Sequence, residues 1–402
     1  METVVFRNET GYASQLLRAG GLVAVPTETV YGLAGNGLDA AAVEKIYEVK
    51  GRPAVKPLSL MVSSKEEIEK YTLDAPEDAY LLASRFWPGP LTIVLKAQDH
   101  IPPIVLAGGK TVGLRCPDCA LTLQLLRESA VPFAAPSANP SGEPSPKNAE
   151  TVLSYFYGAI EAVIDGGECT LGLESTIIDM SSCPYRILRQ GALPYADIAD
   201  ELLSHMKIFG ITGCTGAGKT SALHVFKEKG ALVLDCDAIY HTLLSESAEM
   251  LSELRAQFPA AFPNDVFDRK QLGAIVFNSP DALNTLNEIT HKYVAEAVKT
   301  RLREFAMSGG KLAAIDAVEL ISSGIDQLCA CTVAVTADEA IRAERIMQRE
   351  NISREYALQR IRAQKGEEYY RSNCTYTVEN NSDIGDFTDK ILKIIDEVMN
   401  NG

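Results

Sequence analysis

The stretch IFGITGCTGAGKTS, residues 208–221, decides how the rest of the chain is interpreted. A short apolar run is followed by a glycine-rich loop and then by SALHVFKEKG, which has the pattern of a helix. Gly213, Gly218, Lys219 and Thr220 fit G-x-x-x-x-G-K-[ST], the phosphate-binding loop that joins a strand to a helix. The alternative is a chance match in a glycine-rich turn. The apolar run before the loop and the helical pattern after it favour the phosphate-binding loop.

Each residue type in this loop is suited to holding a triphosphate. The glycines let the backbone curl so that successive N–H groups point at one phosphate, and the helix N-terminus adds partial positive charge. Lys219 is expected to reach the outer phosphates, and the Thr220 hydroxyl is expected to ligate Mg²⁺. The predicted ATP-binding residues of this segment are Gly213, Gly216, Ala217, Gly218, Lys219, Thr220 and Ser221.

The position of the loop divides the chain into two predicted domains. A phosphate-binding loop normally follows the first strand of its domain, so a domain is expected to begin near Met206. The 402 residues then leave about 200 on each side, which is an ordinary size for one domain. We therefore predict domains at residues 1–204 and 205–402. The segment PYADIADELLSH is expected to be a short helix that leads into the strand without a flexible linker.

The composition indicates a soluble cytoplasmic protein with two ordinary cores. Hydrophobic residues make up 46% of the chain and charged residues 23%, and no apolar run is long enough to cross a bilayer. The N-terminal segment METVVFRNETGYASQ lacks the pattern of a secretory signal. The 9 cysteines are dispersed, and the Cys116/Cys119 pair is predicted to be structural because nothing nearby completes a zinc site. The net charge of −15 disfavours long-range attraction to nucleic acid.

Several polar segments of the N-terminal domain follow predicted strands or helices. Thr27 lies in PTET directly after the apolar run LVAV, where open α/β sheets bind ligands, although a plain polar turn explains the pattern equally well. Lys50 and Arg52 flank a glycine at the end of a predicted helix. They are consistent with a phosphate clamp or with surface charge that complements the helix dipole. Arg115 ends the predicted strand TVGLR.

Taken together, these segments resemble the YrdC-like family of threonylcarbamoyl-AMP synthases. The matching pieces are PTETVYGL, KGRP followed by KPLS, WPGPLT, LRCP, APSAN with SG, DGG, ESTIID and RQGAL, in the family's order. The resemblance implies a twisted open α/β sheet. It also implies that L-threonine, bicarbonate and ATP are converted to threonylcarbamoyl-AMP and pyrophosphate. The chain departs from some members of the family at Met61, where they have histidine.

The resemblance also assigns roles to single residues of the N-terminal domain. Lys50 and Arg52 are the implied catalytic cations, since fixed positive charge offsets the repulsion between a carbamate and a triphosphate. Arg115 is the implied partner of the threonine carboxylate. The implied ATP contacts are Lys50, Arg52, Thr111, Ser137, Asn139, Ser145 and Arg189, and the implied threonine contacts are Thr27, Arg115 and Ser175. Catalysis would be mostly positioning, without a side-chain nucleophile.

Beyond the phosphate-binding loop, apolar strands alternate with helical segments, which is typical of a parallel sheet. The run ALVLDCD places Asp235 and Asp237 at the end of the second strand. An acidic side chain there acts as a base, positions Mg²⁺ or simply caps the next helix. Residues 338–364 form an arginine-rich helix-turn-helix pattern, which we predict to be a lid over phosphates. The alternative is solvated charge paired with neighbouring glutamates.

The C-terminal domain resembles dephospho-coenzyme A kinase. The motifs are GITGCTGAGKTS, LVLDCDAI, VAVTA, RIMQRE, RI-x-AQK (RIRAQK in this chain) and VENN. The resemblance implies a P-loop kinase with a helical lid that moves the ATP γ-phosphate to the ribose 3′-hydroxyl of dephospho-CoA. Asp235 is the implied base, and Lys219 is the second catalytic residue. Arg345 and Asn381 are further implied ATP contacts, with Thr220 as the Mg²⁺ ligand.

One position of the kinase pattern differs. The family usually has a glutamate near the place of Ser322, whereas this chain has Glu319 three residues earlier.

The sequence therefore predicts a bifunctional cytoplasmic enzyme that uses Mg²⁺ with ATP. Its predicted small-molecule substrates are ATP, L-threonine, bicarbonate and dephospho-CoA. The first product would pass to the threonylcarbamoyl transferase machinery that modifies tRNA, with no direct tRNA contact and no membrane contact expected. Two alternatives stay open. The N-terminal half could be an RNA-binding module that uses its cations, or one half could be inactive and regulate the other.

Overall fold

The computed structural model describes residues 2–400 and contains two compact units. One unit runs to Ser204 and includes Met307–Gly309, and the other comprises His205–Ala306 and continues from Gly310. Each unit has its own sheet. Among the described residues, no helix is both long enough and apolar enough to span a membrane.

The first unit is built on a mixed sheet. Its strands are β1 (Val4–Phe6), β2 (Val23–Val25), β3 (Gly32–Asn36), β4 (Ser59–Met61), β5 (Leu91–Lys96), β6 (Thr111–Arg115), β7 (Phe133–Ala134), β8 (Ala162–Ile164), β9 (Thr176–Asp179) and β10 (Arg186–Arg189). They pair in the order β1-β8-β2-β3-β7-β4-β6-β5-β9-β10. The pairs β1–β8, β2–β8, β4–β6 and β5–β9 are parallel, and the others are antiparallel.

Short helices pack on this sheet. They are α1 (Thr10–Arg18), α2 (Ala40–Lys50), α3 (Ile68–Tyr71), α4 (Glu77–Phe86), α5 (Ala120–Ser129), α6 (Ala149–Phe156) and α7 (Tyr195–Ser204). Helix α1 contacts β2 and β3 and buries Ala13 and Leu17 completely. All three residues of β2 are buried as well, so the strand that precedes the PTET segment lies in the core.

The second unit contains a fully parallel sheet. Its strands are β11 (Lys207–Gly213), β12 (Leu232–Asp235), β13 (Leu312–Asp316), β14 (Cys331–Thr336) and β15 (Tyr376–Glu379). They pair in the order β12-β13-β11-β14-β15. Its helices are α8 (Lys219–Glu228), α9 (Cys236–Glu246), α10 (Ala248–Gln257), α11 (Arg269–Val276), α12 (Pro280–Met307), α13 (Glu339–Glu350), α14 (Arg354–Arg362), α15 (Glu367–Asn373) and α16 (Ile384–Asn400).

Apolar spacing explains how these helices attach. In α16, Phe387, Ile391, Ile394 and Ile395 recur at helical spacing and are buried in the core beside the sheet. Helices α10 and α11 contribute to a second apolar cluster, and α13 and α14 pack on each other through a third, smaller one. The predicted α/β class, with a parallel sheet flanked by helices and an arginine-rich helical hairpin in the second unit, is therefore confirmed.

The register of the parallel strands places polar and charged side chains at one edge of the sheet. Asp235 pairs with Asp316 at the ends of β12 and β13, and Ile211 of β11 pairs with Asp316 on its other side. In the first unit, Met61 and Arg115 pair at the ends of β4 and β6. Because parallel strands end at the same edge, the residues that follow them converge on a shared site.

Candidate functional site

The phosphate-binding loop has the glycine geometry that its sequence predicts. Gly213, Gly216 and Gly218 have φ of 130°, 76° and 105°, a region that favours glycine. A Cβ on Gly213 would lie 2.1 Å from the Val335 carbonyl oxygen, and one on Gly218 would lie 2.2 Å from Asn380 Nδ2. Two of the glycines are therefore also required by the close approach of neighbouring segments. Helix α8 begins directly after the loop, at Lys219.

A cavity of about 290 Å³ lies over this loop. It is lined by Cys214, Thr215, Gly216, Gly218, Lys219, Thr220, Asp235, Asp237, Asp316, Val318, Arg345 and Arg349. The Lys219 ammonium donates to the Gly213 carbonyl oxygen at 3.2 Å. Of the predicted loop residues, Ala217 is fully buried, and the Ser221 N–H donates to the Gly218 carbonyl within the first turn of α8.

Three carboxylates face this cavity, and they differ in their bonding. Asp235 Oδ1 accepts the Ala238 N–H at 3.0 Å and so caps α9. Asp235 also lines the cavity. Asp316 Oδ1 is buried and has no hydrogen-bond partner within residues 2–400. Burial raises the pKa of Asp316 to about 6, with Lys219 opposing and Asp235 and Asp237 adding to the rise. Asp316 is thus the carboxylate with a buried acceptor that is unused.

The arginine-rich hairpin of α13 and α14 contacts the phosphate-binding loop. Arg342, which is buried, donates from Nε to the Thr215 carbonyl oxygen at 2.9 Å. Arg345 donates from Nη1 to the Ala217 carbonyl oxygen at 3.2 Å and lines the cavity. The outer arginines of the hairpin form ion pairs with glutamate, as the alternative of paired charge expects, and closure as a lid over phosphates stays a prediction. Arg349 and Arg360 both pair with Glu350, and Arg349 also lines the cavity.

The two asparagines after β15 have different positions. Asn380 is buried, and its Nδ2 donates to the Ala217 carbonyl oxygen at 2.8 Å. Asn381 instead exchanges hydrogen bonds with Asp338, at 2.8 Å to the Asp338 N–H and 3.0 Å to its carboxylate. The structure thus brings Asn380 to the loop, while an ATP contact by Asn381 stays a prediction.

A second pocket of about 230 Å³ shares Asp237 and Val318 with the phosphate cavity. Its other lining residues are Cys236, Tyr240, Leu286, Asn287, Thr290, His291, Val294, Ala317, Glu319, Ser323 and Ile325. Burial lowers the pKa of His291, and Glu319 opposes this. We call this space the acceptor pocket because it adjoins the phosphate cavity and is mostly apolar with a few polar groups, as small-molecule sites usually are.

The first unit has a cavity of about 190 Å³ at the ends of β4 and β6. It is lined by Val30, Tyr31, Gly32, Arg52, Pro57, Leu58, Ser59, Met61, Thr92, Arg115, Ala135, Pro136, Ser137, Glu174, Ser175, Ile177 and Arg189. Five residues predicted from the sequence therefore lie in one cavity, namely Arg52, Arg115, Ser137, Ser175 and Arg189. They come from five separate segments of the chain.

Arg115 is held in the wall of this cavity by the PTET segment. Its Nη2 lies 2.7 Å from Glu28 Oε1 and 2.8 Å from Thr29 Oγ1. The side chains of Arg115 and Glu28 are only 8% and 7% exposed, so the pair is largely shielded from water. Removing one partner of such a pair leaves an uncompensated buried charge. Glu28 therefore fixes the position of Arg115, and sequence reasoning did not single it out.

Arg189, the last residue of β10, is a second fixed cation that lines this cavity. Its guanidinium donates to the Ser175 carbonyl oxygen at 3.1 Å from Nε and to Ser175 Oγ at 3.2 Å from Nη2. It also pairs with Glu174. Ser175 Oγ lies 2.9 Å from Thr92 Oγ1. Ser175 is thus held between Arg189 and Thr92 beside the cavity.

Lys50 and Arg52 play different parts in the structure. The Lys50 side chain is buried, and its Nζ donates to the carbonyl oxygens of Ser137 and Asn139. Burial lowers the pKa of Lys50 to about 8, with repulsion from Arg52 acting in the same direction. Arg52 lines the cavity while its Nη2 donates to the Pro57 carbonyl oxygen at 3.0 Å. Lys50 therefore supports the 137–139 loop, whereas Arg52 faces the site.

The remaining predicted residues lie beside or away from the cavity. Thr27 is buried and donates to the Val30 carbonyl oxygen at 2.7 Å, which shapes the PTET turn. Ser145 donates to Glu174 Oε1 at 2.9 Å, and Ser137 Oγ donates to Asn139 Oδ1 at 2.5 Å. Thr111 begins β6, whereas Arg115 ends it, so the two are about 13 Å apart along the strand. Contacts with a nucleotide or with threonine stay predictions for all of the residues predicted in this unit.

All cysteines are free thiols, as expected for a protein that does not rely on disulfides. Cys116 is buried, and burial raises the pKa of its thiol to about 12. A thiol with such a pKa is a poor nucleophile at neutral pH. This agrees with the structural role predicted for the Cys116/Cys119 pair.

Two family models match the chain, one in each half. The model named Sua5_yciO_yrdC, described as "Telomere recombination", matches residues 15–191. The model named CoaE, described as "Dephospho-CoA kinase", matches residues 207–386.

Curated relatives divide in the same way. A threonylcarbamoyl-AMP synthase of Pyrococcus abyssi is 47% identical over 201 residues, which is 49% of this chain and 59% of the relative. A putative threonylcarbamoyl-AMP synthase of Methanocaldococcus jannaschii is 37% identical, over 45% of this chain and 84% of the relative. A dephospho-CoA kinase of Lactobacillus johnsonii is 30% identical, over 47% of this chain and 96% of the relative. The chain spans only about half the length of the first curated relatives it matches.

Proposed function

The chain belongs to the Sua5/YciO/YrdC family through its N-terminal half and to the dephospho-CoA kinase family through its C-terminal half, and we propose that it catalyses both corresponding reactions. Both are families of enzymes. The proposal assigns threonylcarbamoyl-AMP synthesis to residues 1–204 and phosphorylation of dephospho-CoA to residues 205–402. The observation that carries it is that each half brings the cations of its own site into its own cavity.

In the first unit, the proposed reaction joins two anions. The amine of L-threonine and bicarbonate form a carbamate and water. A carbamate oxygen then bonds to the α-phosphorus of ATP, and the bond to pyrophosphate breaks. Arg115 would bind the threonine carboxylate, and its orientation is fixed by Glu28. Arg52 and Arg189 would face the triphosphate and offset its charge, so that catalysis is a matter of positioning and electrostatics.

In the second unit, the proposed reaction moves one phosphoryl group. The ribose 3′-hydroxyl oxygen of dephospho-CoA bonds to the γ-phosphorus of ATP, and ADP leaves. Lys219 and Arg345 would contact the phosphates, and Asp235 would orient the attacking hydroxyl and accept its proton. The acceptor pocket opens beside these residues through Asp237 and Val318. The acceptor and the donor can therefore meet at the shared wall.

The cavity also fits a magnesium ion brought in with ATP. Within residues 2–400, no group of three or more histidine, cysteine, aspartate or glutamate side chains could hold a metal alone. Mg²⁺ bound with ATP needs only one or two protein ligands, because phosphate oxygens and water supply the rest. Thr220 and the unpartnered Asp316 Oδ1 would hold it. The ion would neutralise charge that develops on the phosphates.

The proposal is tested by two assays on one preparation of the full chain. Pyrophosphate release should require L-threonine and bicarbonate together, and ADP release should require dephospho-CoA. The two activities are distinguishable because one yields pyrophosphate and the other ADP. Absence of one product under conditions that give the other would refute the proposal for that half. We further propose that the adenylate serves tRNA modification, through transfer by other enzymes.

A further inference from the structure

Two consecutive residues between α14 and α15 reach two different sites of the second unit. Gln364 Oε1 accepts the Thr215 N–H at 3.0 Å, and Lys365 Nζ lies 3.2 Å from Glu319 Oε2. Thr215 lines the phosphate cavity, whereas Glu319 lines the acceptor pocket. Because the two residues share one peptide bond, a displacement of the backbone at Gln364 also displaces Lys365.

Both backbone polar groups of Thr215 are bonded to side chains from the segment that runs from α13 to the connection after α14. Its N–H donates to Gln364, and its carbonyl oxygen accepts from Arg342 Nε at 2.9 Å. Backbone N–H groups of such a loop are the donors that bind phosphate. While Gln364 occupies the Thr215 N–H, that donor is not available to a phosphate oxygen. Binding of a triphosphate oxygen at this N–H therefore requires Gln364 to leave it.

The Glu319 carboxylate depends on Lys365 for its position. It is held by Lys365 Nζ and by Ser322 Oγ, which lies on the same turn. Burial acts to raise the pKa of Glu319, but the bonds from Ser322 and Lys365 outweigh it, so the pKa is lowered and the carboxylate stays charged. His291 is another residue of the acceptor-pocket wall. Release of Lys365 would leave Glu319 an acceptor for a hydroxyl or amino group of a ligand.

We propose that Gln364 and Lys365 are positioning residues that couple the phosphate cavity to the acceptor pocket. A triphosphate takes the Thr215 N–H from Gln364, the connection between α14 and α15 shifts, and Lys365 releases Glu319 to the acceptor. The inference rests on the proposed function only in calling the second ligand an acceptor nucleotide. Coupling of this kind is reciprocal, so the acceptor strengthens triphosphate binding by the same factor.

The first test is hydrogen–deuterium exchange of the full chain, and it does not depend on the acceptor. Addition of Mg²⁺ with a non-hydrolysable ATP analogue should change the exchange rate of the Glu319–Ser323 turn by about fivefold or more, as expected for allosteric coupling. Gln364→Leu, which lacks the acceptor oxygen, and Lys365→Met should each abolish the change at this turn. The analogue should still protect the phosphate-binding loop in both variants.

The second test measures the affinity for dephospho-CoA by calorimetry, with and without the ATP analogue. In the wild type, we expect the analogue to tighten dephospho-CoA binding about fivefold. In either variant, we expect the same affinity for dephospho-CoA with and without the analogue. Lys390→Met is the matched control, because Lys390 forms an exposed 2.7 Å pair with Asp386 on α16. It should leave the ratio unchanged.

The results separate the two proposals. A wild type in which the analogue binds the loop without altering exchange at the turn overturns the coupling, and so does an unchanged response in both variants. Failure of dephospho-CoA to bind, with the exchange response intact, refutes the proposed acceptor and leaves the coupling supported.

Discussion

Replacing Asp316 with asparagine should stabilise the second unit, even though the change removes a charged group from its candidate site. Burial raises the pKa of Asp316 from 3.8 to about 6. Each pKa unit corresponds to about 1.4 kcal/mol, so the ionised form costs the folded state about 3 kcal/mol. Asparagine cannot ionise, and its amide can donate to the neighbouring carboxylates of Asp235 and Asp237. We expect Asp316→Asn to recover about 2–3 kcal/mol at pH 7.5.

The sign of the pH dependence follows from the same shift. Between pH 3.8 and about pH 6 the folded unit binds more protons at Asp316 than the unfolded chain does, so the stability contributed by this group falls as pH rises through that window. Above the window the full cost is present, and below it the cost is absent. The advantage of Asp316→Asn should therefore be largest at neutral pH and vanish near pH 4.

The assay is unfolding in urea, monitored through the hydrogen exchange of the peptide that contains β13. Trp87, the only tryptophan, lies in the first unit, so its fluorescence reports on that unit and should not change. Asp268→Asn is the matched control, because Asp268 caps α11 in the same unit and asparagine caps a helix as well as aspartate does, so no gain is expected. A destabilised Asp316→Asn variant, or an equal gain at pH 4 and pH 7.5, would refute the reasoning. ADP release should fall in the same variant if Asp316 holds Mg²⁺.

Lys219→Ala should abolish ADP release while pyrophosphate release persists, and an unchanged rate of ADP release would contradict the phosphate-binding assignment. Glu28→Gln should raise the KM for L-threonine roughly tenfold or more and alter the KM for ATP much less, because Arg115 loses its buried partner; equal effects on both substrates would argue against this. Lys50→Met should lower pyrophosphate release roughly tenfold or more and leave ADP release unchanged, since the carbonyl oxygens of Ser137 and Asn139 lose their donor beside the cavity; an unchanged rate of pyrophosphate release would argue against the support role. Fragments 1–204 and 205–402 should each keep one activity, and insoluble fragments from an active parent would overturn that proposal.

The second unit was predictable where local sequence determines backbone geometry. The loop glycines, the helix that follows and the aspartate that caps α9 all depend on neighbours within a few residues. Asp316 was not singled out, because its environment depends on the register of β12, β13 and β11, whose sequences are far apart. The choice between Asn380 and Asn381 was equally beyond the sequence. Adjacent residues after a strand point in different directions, and only packing selects one.

In the first unit too, local features were predictable from the sequence and contacts between distant segments were not. The pattern placed Arg115 at a strand end and Thr27 after a buried strand, but it could not show that Glu28 bonds to Arg115 across 87 residues of sequence. Nor could it show which cation of the Lys50/Arg52 pair faces the site. A helix C-terminus followed by glycine suits both a phosphate clamp and a support for another loop.

In the fold, the Lys50 ammonium donates to the 137–139 loop and Arg52 lines the cavity, while phosphate contact by either cation stays a prediction. The support role also makes the charge of Lys50 sensitive to pH. Its pKa of about 8 means that the ammonium loses its proton as pH rises above 8, and the two carbonyl oxygens then lose a charged donor. Pyrophosphate release should therefore decline above pH 8 in the wild type, whereas ADP release, which does not involve this lysine, should not follow that decline.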